Sequence, residues 1–209
     1  MSPSDVAVNL ILKTENVISY AGRDPIEVKP GRKSPIHINF KNTLPHKSVR
    51  ETLANLLIER IEEDGMSYVC GLESGGSYFA SRCSDALGVP LSLYRKSEKQ
   101  HAERGQLVGS NPAPGSKVAI IDDTLVSGRT VEPVIRYMRN FTDDICVYTI
   151  LSYGLDERIR NRLQVSRVAS ITQMASLIEA GAACGAFSPE LIVGIEAFIE
   201  NQANEGKGS

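Results

Sequence analysis

The run VAIIDDTLVSGRTVEP sets two consecutive carboxylates, Asp122 and Asp123, at the end of an apolar stretch and follows them with a short hydroxyl- and glycine-bearing loop that enters a helix. Each part has a chemical use. A loop entering a helix presents backbone N–H groups with no partner inside the helix, at the positive end of the helix dipole, and so suits a phosphate. Gly128 lets the backbone approach the anion, and Ser127 and Thr130 add hydroxyl donors. The two acids would repel that phosphate. They suit the hydroxyls of an attached sugar, or a bound Mg²⁺. A plain structural use is also open: Asp-Asp starting a turn and Thr130 capping the helix. The run contains neither GxxxxGK[ST] nor GxGxxG, so it is not a Walker A or dinucleotide loop.

A second candidate lies just upstream, in RKSEKQHAERGQLVG (95–109). Arg95, Lys96, Lys99, His101 and Arg104 stand there against Glu98 and Glu103. The segment is polar and too long for a simple connection, as lids and binding loops are. A cationic lid suits an anionic ligand, because it neutralises charge and excludes water. The competing reading is a solvated surface loop of ordinary charge density. A third candidate is the turn GLESGGS (71–77), whose backbone around Ser74 and Gly75 can form an anion-holding nest. Ser74 as a nucleophile is a weak rival, since the turn is not GxSxG.

These segments need elements to hold them. Apolar positions Val49, Leu53, Leu56, Leu57 and Ile61 predict a helix over 46–64, ended by Gly65. Strands are expected at 67–71, 89–94, 117–122 and 145–152, with helices at 78–87 and 131–141. A short strand at 167–171 and further helix complete the chain. Buried strands alternating with helices imply βαβ units and a mainly parallel sheet flanked by helices, with ligands at the carboxyl ends of the strands. Before residue 42 the chain reads as short apolar patches. IEV and IHINF predict two strands joined by the turn PGRKSP.

Composition narrows the function classes. The chain has 209 residues, with 23 Lys+Arg against 25 Asp+Glu and a net charge of −2, which is a poor match for duplex DNA. A 42% hydrophobic and 23% charged composition fits a folded globular protein. Cys70, Cys83, Cys146 and Cys184 are scattered without CxxC or histidine clustering, so four buried or semi-buried thiols in a reducing compartment are expected. Neither a targeting segment nor a membrane span is visible. The expectation is a cytoplasmic protein that binds neither nucleic acid nor membrane. Residues 201–209, ending GKGS, read as a tail.

The 118–130 run resembles the phosphoribosyl-diphosphate (PRPP) motif of type I phosphoribosyltransferases. The resemblance implies that Asp122 and Asp123 bind the ribose hydroxyls, and Mg²⁺ indirectly through PRPP. It implies that Thr124, Leu125, Val126, Ser127, Gly128, Arg129 and Thr130 hold the 5′-phosphate. The pattern RK-x-x-K-x-H followed by LVGS is similar to the catalytic loop of orotate phosphoribosyltransferases. There Arg95, Lys96, Lys99 and His101 would contact the diphosphate, reaching across a homodimer into the partner's site, with Lys99 and His101 catalytic beside Asp122 and Asp123. VKPGRKSP is similar to a segment that would place Lys29 near base and diphosphate, with His37 and Ile38 lining the base pocket alongside Val126. Ser74 and Gly75 match the diphosphate turn.

The sequence departs from that family in places. Ala102 replaces a glycine, the Tyr-Lys pair of the diphosphate turn is missing, and Gly154-Leu155 stands about where an arginine binds the orotate carboxylate. The implied protein is one type I phosphoribosyltransferase domain over 1–200, with a small hood from about 1–45 and part of the C-terminal region. It would transfer phosphoribose from PRPP to orotate. The alternatives are a relative acting on another base and a non-catalytic PRPP or nucleotide sensor.

Overall fold

The computed structural model describes residues 1–20, 25–29, 32–95 and 106–205. In chain order the elements are α1 (Pro3–Lys13), β1 (Ile18–Tyr20), β2 (Ile26–Lys29), β3 (Arg32–Ser34), β4 (Ile36–Ile38), a 3-10 turn (Phe40–Thr43), α2 (Lys47–Glu62), β5 (Tyr68–Leu72), α3 (Ser77–Leu87), β6 (Leu91–Tyr94), β7 (Leu107–Gly109), β8 (Val118–Ile121), β9 (Thr124–Leu125), α4 (Glu132–Met138), β10 (Ile145–Ser152), α5 (Asp156–Leu163), β11 (Arg167–Gln173), α6 (Met174–Ala183) and α7 (Pro189–Glu205). They fall into two compact units, Met1–Arg50 with Thr172–Ser209, and Glu51–Ile171.

In the first unit, α1 is a helix that the apolar-patch reading missed. Its start is set by capping: the Ser2 hydroxyl accepts the Asp5 N–H at 3.2 Å, the Ser2 N–H donates to Asp5 Oδ2 at 2.9 Å, and Pro3 opens the first turn. It buries Ala7, Val8 and Ile11 and packs on α6. The two predicted strands exist but do not pair with each other. β2 pairs antiparallel with β3, inside the expected PGRKSP turn, and β4 pairs with β1. The C-terminal tail begins later than expected, because α7 continues to Glu205.

The second unit carries a seven-stranded sheet in the order β11-β10-β8-β5-β6-β7, with β9 on β10. The β5–β6, β5–β8, β8–β10 and β9–β10 pairs are parallel. β5, β8 and β10 are buried along their whole length, which is why they read as continuous apolar runs. Register positions the site: Gly71 pairs with Ile121 and Leu72 with Tyr94. The turn after β5, the exit of β6 and the acids after β8 therefore emerge at one edge of the sheet.

The long polar segment is more structured at its ends than a plain loop. β7 returns antiparallel to β6, with Tyr94 opposite Leu107. The Arg95 N–H donates to the Gln106 carbonyl at 2.8 Å, and the Tyr94 hydroxyl donates to Gln106 Oε1 at 2.6 Å. Arg95 and Gln106 are thus bonded to each other at the open end of the β6–β7 pair. Lys96, Lys99 and His101 lie outside the described residues.

Three cysteines are buried, but Cys184 is exposed, against the expectation for all four. It stands at the C-terminal end of α6, where the helix gives way to solvent. Burial pushes the Cys70 and Cys83 thiols up to about 12, which keeps them protonated.

A polar knot ties α2 to the sheet. Asp64 accepts from the Tyr148 hydroxyl at 2.6 Å and pairs closely with Arg167. Burial, and then the Asp64 carboxylate, raise the Tyr148 phenol well above its usual range, so it donates throughout the physiological range. Asp64→Ala leaves a buried hydroxyl without its acceptor and a half-buried guanidinium without its partner. It is expected to cost about 2 kcal/mol in urea unfolding, with Tyr148→Phe costing less. An Asp64→Ala chain as stable as the parent would rule out this role.

Candidate active site

The turn after β5 and the turn after β8 meet. A Cβ placed on Gly75 would lie 2.0 Å from Asp123 Oδ2 and 2.4 Å from its Cγ, so the carboxylate rests directly on the glycine backbone. A Cβ on Gly76 would lie 2.1 Å from the Ile121 carbonyl oxygen. Both positions therefore require glycine because of close approach. The tip of the ESGG turn is packed against the end of the acid-bearing strand.

The two acids differ. Asp122 is buried at 5% exposure, and its Oδ1 accepts the Asp123 N–H at 3.0 Å. Its backbone N–H donates to the Tyr148 carbonyl at 3.2 Å. It locks the strand end. Asp123 is half-buried, with its carbonyl accepting from Ile150 and Leu151 at 3.2 Å, which leaves the carboxylate as the group presented at the Gly75 contact.

Two hydroxyls belong to these turns. The Thr124 and Ser77 hydroxyls are buried and make no hydrogen bond among the described residues. A buried hydroxyl without a partner is costly, and such groups mark ligand positions. Thr124 belonged to the expected set. Ser77, the first residue of α3, did not, although it closes the GLESGGS turn. No side chain caps α3, whose N-cap is Gly76. No side chain caps α4 either: Val131 occupies the N-cap position, so Thr130 is not the cap that its sequence allowed.

Among the other expected residues, Leu125 is buried in β9, Val126, Ser127 and Thr130 are half-buried along the loop, and Arg129 is exposed. Gly128 adopts φ +77, a left-handed conformation suited to glycine. Ser74 is exposed and Gly75 half-buried. Arg95 is paired, its Nε lying 3.4 Å from Glu73 Oε1, which joins the exit of β6 to the turn after β5. Glu73 was not foreseen, and its backbone N–H also donates to the Tyr94 carbonyl at 2.9 Å. Lys29 ends β2, His37 lies in β4, and both belong to the first unit with Ile38. A correction follows for β4. Alternation turns His37 and Ile38 to opposite faces, and Ile38, 6% exposed, faces the core, so the two cannot form one wall.

Hard oxygen donors fit Mg²⁺, and Asp122, Asp123 and Glu73 supply them. Among the described residues no group of three or more His, Cys, Asp or Glu could hold a metal by itself.

A parallel sheet with an acid pair, a glycine nest and a hydroxyl loop at one carboxyl edge defines an α/β protein built for a phosphorylated sugar. Comparison with known proteins makes this specific. Residues 41–182 match the phosphoribosyl transferase domain family. An orotate phosphoribosyltransferase of Oceanobacillus iheyensis is 30% identical over 164 residues, covering 77% of this chain and 81% of that protein. The fold is shared with the orotate phosphoribosyltransferase of Aeropyrum pernix, with a TM-score of 0.70 and 21% identity over 87% of this chain and 99% of that one. It is also shared with Leishmania donovani UMP synthase, with a TM-score of 0.77 and 17% identity over 96% of this chain, which spans 43% of that longer protein. The chain belongs to the phosphoribosyltransferase family, among the orotate phosphoribosyltransferases.

Among the described residues no helix is long and apolar enough to cross a membrane.

Proposed function

We propose that the chain transfers the phosphoribosyl group of PRPP to a ring nitrogen of orotate, forming orotidine 5′-monophosphate and diphosphate. The observation that carries this reading is the packing of the Asp123 carboxylate on Gly75, which brings together the acid and the turn to which the reading gives the ribose and the diphosphate. The bond from the sugar C1 to diphosphate oxygen breaks with its electron pair leaving on that oxygen. The ring nitrogen then bonds to C1 and gives up its proton.

Asp122 and Asp123 hold the ribose hydroxyls and put negative charge near an oxocarbenium-like sugar. Thr124 to Thr130 hold the 5′-phosphate. Ser74, Gly75, Arg95, Lys96, Lys99 and His101 bind the diphosphate. Lys29, His37 and Val126 serve the base, with Ile38 backing β4 from the core. Mg²⁺, held through PRPP near Asp122 and Asp123, supplies charge neutralisation of the leaving diphosphate. The first unit serves as the hood of a single domain over 1–200. The enzyme works in the cytoplasm as a homodimer that shares residues 95–109 between subunits.

The base half of the site has its own signature. Gly154, with φ +79, and Leu155 bring no cation to the turn after β10. An open cavity of about 610 Å³ beside that turn is lined by Gly154, Leu155, Glu157, Arg158, Asn161 and Arg162. Arg158 is the first cation after the turn, and we assign it to the orotate carboxylate.

A panel of orotate, uracil and purines offered with PRPP tests both assignments by diphosphate release. Orotate is expected to be turned over, and uracil, which lacks the carboxylate, to be rejected. Arg158→Ala is expected to raise the KM for orotate about tenfold through loss of a charge-assisted pair. Turnover of another base but not of orotate would favour the second reading, for which Val126 and Leu155 in place of polar contacts speak. An unchanged KM would remove Arg158 from the site.

A further inference from the structure

Arg162 lies on α5, 35 positions beyond the loop it touches. Its guanidinium bridges the middle of that loop and the first residue of α4. Nη2 donates to the Ser127 carbonyl at 2.8 Å, and Nη1 donates to Glu132 Oε2 at 2.9 Å. The same helix closes the back of the turn at Gly128. A Cβ there would meet Ile159 Cγ2 at 2.9 Å, Arg162 Nη2 at 3.0 Å and Leu163 Cδ1 at 3.3 Å. α5 is therefore the mould against which residues 127–132 are cast.

Peptide geometry turns this contact into a statement about the front of the loop. The unit joining Ser127 to Gly128 is planar and trans, so its N–H points opposite to its C=O. With the Ser127 carbonyl held on the Arg162 side, the Gly128 N–H faces the other way. A flip of this peptide would present a carbonyl oxygen, which repels an anion. Glu132 adds a carboxylate at the start of α4, which pairs with Arg162 at 2.9 Å and with Arg136 at 3.5 Å.

We propose that Arg162 is a positioning residue: held on Glu132, it fixes the Ser127–Gly128 peptide so that the Gly128 N–H serves the 5′-phosphate. This rests on reading the loop as the phosphate site. Arginine is required because its planar fork reaches two acceptors in fixed directions, where lysine offers one point charge.

The test is calorimetric titration of the full chain with ribose 5-phosphate, ribose and magnesium diphosphate, using the parent, Arg162→Gln and Arg162→Lys, with thermal melting as the folding check. Both variants are expected to bind ribose 5-phosphate about tenfold more weakly, with diphosphate affinity unchanged. Should Arg162→Gln fail to fold, Arg162→Lys, which keeps the charge and most of the stem, carries the test. Full rescue by lysine, or unchanged affinity in the folded variants, would overturn the positioning role while leaving the phosphate loop intact. A parent chain that binds ribose 5-phosphate no better than ribose would overturn the phosphate reading, and the inference with it.

Discussion

Lys99→Ala is expected to lower kcat by about 100-fold or more while the Kd for PRPP changes by only a few-fold. The split follows from where charge develops. On the proposed reading, the diphosphate of PRPP at rest would already be held by the turn at 73–76, its charge partly offset by Mg²⁺. Extra negative charge appears on the bridging oxygen only as the C1 bond lengthens, and a cation brought there stabilises the transition state more than the ground state. The flanking residues support such a role. Arg95 and Gln106 are joined by an N–H to carbonyl bond of 2.8 Å, and Tyr94 bonds Gln106 at 2.6 Å. The Arg95–Glu73 pair at 3.4 Å ties them to the turn after β5. Steady-state kinetics with orotate and direct PRPP titration separate the two constants. Equal losses in kcat and PRPP affinity would make Lys99 a binding residue, and no loss at all would remove it from the site.

The second large effect concerns the contact between the two turns. Asp123→Asn removes the charge assigned to the sugar while keeping the side chain's size. Gly75→Ala keeps the charge but drives a methyl into the space of the carboxylate, 2.0 Å from Oδ2. Either the carboxylate or the turn must move, and displacement of a reacting group by about 1 Å costs roughly 100-fold. Both variants are expected to lose kcat/KM by about that factor with little change in melting temperature. Gly76→Ala is the contrast. Its methyl would lie 2.1 Å from the backbone oxygen of Ile121, which has no rotamer to escape into, so that variant is expected to lose stability as well. If Gly75→Ala retained full activity, the two turns would not act as one site.

The alternation of buried strands and helices was legible because parallel strands covered on both faces leave continuous apolar runs such as VAII and ICVYTILS. The acids were legible because a charge pair ending such a run has few structural uses. Features decided by capping or by distant contacts were harder to read. α1 is announced by Ser2, Pro3 and Asp5 more than by apolar spacing. β7 is three residues at the edge of a polar segment, and its pairing with β6 gives it away only in three dimensions. Glu73 and Arg162 act across 22 and 35 positions, and nothing local marks either one. Ser77 looks like any helix-opening serine until its hydroxyl is found buried without a partner. In β4, a two-residue resemblance implied a shared wall that strand alternation forbids.

The central claim is that the strand-end acids, the ESGG turn and the 124–130 loop form one PRPP site. A crystal structure of the chain with PRPP and Mg²⁺ tests it most directly. The account predicts ribose hydroxyls on Asp122 and Asp123, the 5′-phosphate on the backbone and hydroxyls of 124–130, and diphosphate at Ser74 and Gly75. PRPP bound away from these carboxylates, or with its diphosphate in the 124–130 loop, would contradict it.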